Sequence, residues 1–227
     1  MSLFFAVTAL TCLAVGPLGA HFHLLAPVVG FLIHILAGIL GLIAVMFGLV
    51  SWLRKRRRSH LIAVFLALPS VVPMAFLLIG ATSHPGINDI ATDLADPPLL
   101  SIAPEYPDSF KAVVSASYPD VKTLQVATSP EQAFSDALYL ARSSPGWTIT
   151  RVDERALIFE GLATTRVFRF KDDFVVRVRA VRGQDSLGAT IDMRSRSRVG
   201  KSDLGGNARR IRSFFAELVH ILAAPAQ

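Results

Sequence analysis

Residues 24–58 read LLAPVVGFLIHILAGILGLIAVMFGLVSWLRKRRR, a run free of Asp, Glu, Lys and Arg from Leu24 to Leu53, followed at once by Arg54, Lys55, Arg56, Arg57 and Arg58. About 20 apolar residues cross a bilayer as a helix. The helix is required because hydrocarbon offers backbone polar groups no partner. Two further uncharged stretches, residues 2–20 and 61–82, flank the first, and none alternates as a barrel strand would. Residues 1–82 therefore read as a three-helix transmembrane unit. Lys and Arg are retained on the cytoplasmic side, so the 54–58 loop is expected inside. That places the amino terminus in the cytoplasm and everything after Thr82 on the outer side. A rival reading makes residues 1–20 a cleaved signal peptide, but they carry no Lys or Arg and Leu18-Gly19-Ala20 is a poor cleavage site.

Composition agrees. The chain has 227 residues, 52% hydrophobic and 18% charged, with a mean hydropathy of +0.49, too apolar for an ordinary soluble domain. The single cysteine, Cys12, excludes a disulfide framework and paired-thiol chemistry. The net charge of +6 comes almost entirely from residues 54–58, which supply +5, so it is not the footprint of a nucleic-acid binder. The expected placement is multi-pass in a membrane, with membrane lipid as the first partner and no nucleic acid.

Within the second span Gly30, His34, Ala37, Gly41, Ala44 and Gly48 recur at three- and four-residue steps. Such a small-residue stripe lets helix backbones approach, either inside the unit or at a dimer face. His34 is the ionisable residue on the stripe and a candidate site within the membrane, although a hydrogen-bonded packing role is the plainer reading. His21, His23, His60 and His84 fall at span ends, with His60 on the opposite side, so no metal site is expected. Pro69 and Pro73 predict a kinked third span.

After the spans, residues 83–108 form an acidic, Pro-rich lead with Asp89, Asp93, Asp96, Glu105 and Asp108, read as extended linker, and residues 109–227 form a domain of ordinary size. A short helix fits 110–118. A clearer one opens at Ser129-Pro130-Glu131-Gln132, with an N-cap serine, a first-turn proline and a capping-box glutamine; Phe134, Ala137, Leu138 and Ala141 mark its buried stripe. The period then changes to two. Strands are expected at 147–152, 156–164, 166–170, 174–181 and 188–195, with turns at Asp153-Glu154, Lys171-Asp172-Asp173 and Gly183-Gln184-Asp185. From Asp203 the spacing of Leu204, Ala208, Ile211, Phe215, Leu218 and Leu222 predicts a long closing helix, N-capped by Ser202 or Asp203 and ended by Pro225. The fold class is membrane α-helical plus an α+β extracytoplasmic domain, an antiparallel sheet packed by helices on one face.

Alternation also dictates the other sheet face. If Phe168, Phe170, Val176, Val178, Ile191 and Met193 point inward, Arg169, Lys171, Arg177, Arg179, Asp192, Arg194 and Arg196 point away. Charge is polarised as well: residues 83–136 hold two basic and eight acidic side chains, a net of −6, and 137–227 hold sixteen and nine, a net of +7. Either the acidic lead folds over the arginine face, or that face receives an external anion.

Residues 192–212 read DMRSRSRVGKSDLGGNARRIR, a strand running into a glycine-containing loop and a helix start, where backbone amides and cations meet. Gly200-Lys201-Ser202 copies the end of a phosphate-binding loop, but Ser195 stands where that motif needs its first glycine. This stretch, together with Ile87-Asn88-Asp89-Ile90-Ala91-Thr92-Asp93, Asp96-Pro97-Pro98, Tyr118-Pro119-Asp120 and Gly146-Trp147, resembles the domain-of-unknown-function 1499 family over roughly residues 85–222. The resemblance implies no known activity. It implies that the acidic lead and the arginine signature form one module behind a three-span anchor.

Two functional expectations follow. In the first, the domain binds an anionic lipid headgroup, an envelope polymer or an acidic protein partner through Arg194, Arg196, Arg198, Lys201 and Arg209, with Asp203 and Asn207 organising the helix start. In the second, Asp89, Asp93, Asp192 and Asp203 gather for phosphoester hydrolysis or transfer. No cofactor is expected, and no residues with a diagnostic catalytic spacing stand out.

Overall fold

The computed structural model describes residues 1–181 and 188–223. The turn expected at Gly183-Gln184-Asp185, and Pro225, lie outside the described residues. The chain divides into two compact units, one of Met1–Ser83 with Thr165–Phe170, the other of His84–Thr164 with Lys171–Gln227.

The first unit holds α1 (Ser2–His21), α2 (Pro27–Lys55) and α3 (Arg58–Ser83), three helices long and apolar enough to cross a membrane. Pro27 supplies the preset φ of a first helical turn, and α2 ends where Arg56 turns left-handed at φ 50°. The small stripe of α2 packs within the unit on both neighbours. A Cβ at Gly30 would come within 2.6 Å of the Gly16 carbonyl oxygen on α1, and one at Gly48 within 2.6 Å of Val64 on α3. Pro69 and Pro73 lie inside one continuous α3.

Thr165–Phe170, which includes the strand expected at 166–170, is instead a turn that packs with these helices. The Phe-Arg-Phe alternation mimics a strand, but both rings find an aromatic partner elsewhere. Phe31 meets Phe168 at 5.3 Å and Phe170 at 5.8 Å between ring centroids. The turn closes on itself: the Thr165 amide donates to the Phe170 carbonyl and the Phe170 amide to Thr165 Oγ1. Phe168, Phe170 and Arg169 thus leave the sheet faces expected for them, and Lys171-Asp172-Asp173 is strand rather than turn.

The second unit carries β1 (Asp89–Ala91), α4 (Asp108–Ser117), β2 (Leu124–Val126), α5 (Pro130–Ser143), β3 (Trp147–Asp153), β4 (Ile158–Thr164), β5 (Lys171–Ala180), β6 (Ala189–Ser197) and α6 (Gly206–Ala223). All strands pair antiparallel in the order β1-β6-β5-β4-β3, and β2 shares the β1 edge of β6. The residues that looked like a linker therefore contribute a strand. One sheet face is apolar: Phe159, Phe174, Val176, Val178, Ile191 and Met193 pack under Phe134, Ala137, Leu138 and Ala141 of α5 and Ile211, Phe214 and Leu218 of α6. Trp147 stacks on Phe214 at 5.4 Å and meets Phe174 at 4.3 Å. Ser129 caps α5 as its sequence predicts, accepting from the Gln132 amide.

Candidate functional site

The register of β5 on β6 places Asp173 opposite Arg196, Val175 opposite Arg194 and Arg177 opposite Asp192. With a period of two, these side chains share the face turned away from α5 and α6. That face is the arginine face the alternation predicted, and the acidic lead lies on it.

At its centre Arg194, fully buried, donates from Nε and Nη2 to the two carboxylate oxygens of Asp89 at 3.0 and 2.8 Å. Its remaining donors reach the carbonyls of Pro98 (3.3 Å) and Glu105 (2.7 Å), and its guanidinium lies 5.0 Å from the centre of the Tyr106 ring. Tyr106 returns a bond to the Asp89 carbonyl. Burial, then the Asp89 charge, pushes the Tyr106 phenol well above its ordinary range.

Beside it a second network joins two lead residues to both strands. Asp93 Oδ2 accepts from Arg179 (2.7 Å) and Arg177 (3.4 Å), Asp96 Oδ2 from the same two (2.8 and 3.1 Å), and buried Asp192 from Arg179 (3.0 Å), Thr123 (2.6 Å) and Thr92 (3.2 Å). Burial opposes ionisation of Asp93. The Asp96 and Ala95 amides and Arg179 outweigh it and hold the carboxyl below its ordinary value. A third contact closes the lead: Ser101 donates from both amide and hydroxyl to buried Glu160, which Arg151 also pairs.

The signature that follows β6 is similarly occupied. Arg198 forms a bidentate pair with Asp173, both bonds 2.7 Å. Buried Asn207 accepts from Ser195 and Arg210 and donates to Ser197 and to the Asn88 carbonyl, so one amide ties α6, β6 and the lead together. Arg210 continues to Asp172. Asp203 accepts from the Gly205 and Asn207 amides through a turn in which Leu204 (φ 51°) and Gly205 (φ 74°) are left-handed. It caps a helix that begins at Gly206, three residues later than the spacing suggests.

The residues nominated from sequence therefore separate. Arg194 and Asn207 are buried on opposite faces of β6, Arg198 is spent on Asp173, Asp203 on the cap, and Arg209 donates to the Leu204 carbonyl. Arg196 and Lys201 remain. Arg196 is 37% exposed with Asp89 Oδ2 at 3.7 Å, and Lys201 is exposed with no ion pair among the described residues. The four carboxylates nominated for chemistry do not converge: Asp89 holds Arg194, Asp93 and Asp192 share Arg177 and Arg179, and Asp203 caps α6. Among the described residues no three His, Cys, Asp or Glu side chains are placed to hold a metal ion. A cleft of about 530 Å³ lined by Thr92, Asp93, Ser115, Tyr118, Lys122 and Thr123 takes one of the nominated acids and none of the nominated cations.

Arg177, Arg179, Arg210, Ser195 and Asn88 carry the networks without having been singled out as site residues. Alternation placed the two arginines on the face, but their partners in the lead lie 81 and 86 residues away in sequence and Asn88 lies 119 from Asn207, beyond any local signal.

No match was found among curated proteins or among solved structures. A family model, described as a protein of unknown function, matches residues 89–218. It begins at the aspartate that holds Arg194 and ends on the last buried leucine of α6, so lead and signature fall in one unit. The chain belongs to the DUF1499 family.

Proposed function

We propose that the chain is a multi-pass protein of the bacterial inner membrane whose domain, on the outer side, binds an anionic envelope component or an acidic protein surface. The basic loop joining α2 and α3 supports the orientation. One observation carries the binding reading. Arg196 is partly exposed, and the one carboxylate oxygen within ion-pair reach among the described residues, at 3.7 Å, already accepts a 2.8 Å bond from Arg194, so its charge is only partly neutralised. Lys201, a few residues on, is exposed and forms no ion pair among the described residues. Arg194, Arg198, Asp203, Asn207 and Arg209 then position this surface rather than touch the ligand.

The test uses the full chain in phosphatidylcholine nanodiscs, with inorganic polyphosphate as the probe. The wild type should bind, binding should weaken as salt rises because exposed charges are screened within about 10 Å at 0.1 M, and Arg196→Ala with Lys201→Ala should abolish it while leaving thermal unfolding unchanged. Equal binding by the double variant, or none by the wild type, overturns the reading.

A further inference from the structure

We infer that His34 and Arg169 hold the phosphate of a membrane-lipid headgroup at the end of the helical unit where α1 meets α2. Two nitrogens there, His34 Nδ1 and Arg169 Nε, are buried and have no hydrogen-bond partner among the described residues. Each such group costs about 1–3 kcal/mol if left unmade. They belong to segments that aromatic contacts fasten together: Phe31 on α2 meets both Phe168 and Phe170, and the His34 ring meets Phe168 at 5.4 Å. The turn is also tied to α1, where His21 Nδ1 donates to the Arg166 carbonyl at 3.0 Å. Arg169 is held at φ 62°, a conformation that costs a non-glycine residue roughly 1 kcal/mol or more. The arrangement is thus built rather than accidental.

Charge selects an anion. Residues 1–83 and 165–170 contain no Asp and no Glu, so nothing within the unit neutralises Arg166 or Arg169, and neither forms an ion pair among the described residues. A phosphate, with several acceptor oxygens, can accept from an imidazole N–H and a guanidinium N–H and so satisfy both nitrogens. Depth selects a lipid. The 29 residues of α2 span about 43 Å at 1.5 Å per residue, the thickness of a bilayer including its headgroups. His34, seven residues after Pro27, then lies about 10 Å from that end, close to the boundary of headgroups and hydrocarbon. This site rests on the membrane placement proposed above and is independent of the Arg196 and Lys201 surface.

The experiment reconstitutes the full chain in vesicles of phosphatidylcholine and phosphatidylglycerol, extracts it gently, and counts bound lipid by native mass spectrometry. One phospholipid should be retained per chain. Arg169→Gln with His34→Gln should cut its occupancy about ten- to a hundred-fold, the loss expected for one or two charge-assisted hydrogen bonds. Should that variant fold poorly, the wild type still decides: its thermal unfolding should rise with added phosphatidylglycerol and not with diacylglycerol, which lacks the phosphate. An equal response to the two, a mass without lipid, or unchanged occupancy in a folded variant overturns the proposal. An adduct of inorganic phosphate that displaces the lipid assigns the site to free phosphate and overturns the lipid reading. Polyphosphate binding through Arg196 and Lys201 is unaffected in every case.

Discussion

Replacing Asp89 by Asn removes the countercharge from an arginine that is 0% exposed and weakens two charge-assisted hydrogen bonds of 3.0 and 2.8 Å. Removing one partner of a buried pair costs about 3–5 kcal/mol, because the survivor stays buried and uncompensated. Arg194 keeps the Pro98 and Glu105 carbonyls and the Tyr106 ring, so the lower end, about 3 kcal/mol, applies. For a domain of this size that is a fall in Tm of roughly 10 °C. Asp89→Leu with Arg194→Met should recover most of the loss, since an apolar pair of similar volume avoids the desolvation cost. The assay is urea or thermal unfolding of the full chain followed by Trp147 fluorescence in a Trp52→Phe background; Trp147 is packed on Phe214 and Phe174. A loss below about 1 kcal/mol for Asp89→Asn, or a double variant as unstable as the single, would refute the claim that this pair fastens the lead to the sheet.

Asn207→Ala strips four hydrogen bonds from a fully buried position and should destabilise the domain by about 2–4 kcal/mol, read as a shifted urea midpoint. Ser129→Ala removes a single N-cap bond to Gln132 and should cost only about 1 kcal/mol, a contrast measurable in the same assay. Acid should weaken the domain through Asp93, whose folded value is depressed below 3.8: its contribution is complete above that pH and is lost as pH falls through the lower folded value. Urea midpoints taken through the acid range should therefore decline less steeply in Asp93→Asn than in the wild type. Gly30→Leu should break the α1–α2 contact, because even a Cβ there would sit 2.6 Å from the Gly16 carbonyl oxygen; a thermal midpoint equal to wild type in detergent would count against that packing.

What was legible in the sequence depended on how local its cause was. The absence of charge over three long stretches fixes three helices, because the requirement is met residue by residue within each helix. The alternation of Val176, Arg177 and Val178 fixes which side chains share a face, since the pleat has a period of two. The fate of the arginines was not legible. Nothing near Arg194 distinguishes a ligand-binding guanidinium from one consumed by Asp89, 105 positions away. The turn at Thr165–Phe170 shows the opposite failure: a correct local pattern, Phe-Arg-Phe, overridden by Phe31, which no window around residue 168 contains. The spacing leaves the cap open between Ser202 and Asp203; Asp203 serves, and its left-handed turn through Leu204 and Gly205 moves the helix.

Strand β6 pairs with β5 on one side and with both β1 and β2 on the other, so among the described residues it is the strand that joins the amino-terminal and carboxy-terminal halves of the sheet. During synthesis the ribosome delivers β1 and the acidic lead about a hundred residues before it delivers β6. Until then Asp89 has no strand to meet, and Asp93 and Asp96 can reach only Arg177 and Arg179 of β5. The sheet cannot be completed piecemeal behind the emerging chain, and its closure waits for residues 189–197. Contacts of such long sequence separation slow folding, and β1 and β2 meanwhile remain open edges that a neighbouring nascent chain could pair with. A stalled or truncated product ending before residue 189 would be an aggregation hazard, however well its earlier helices had folded.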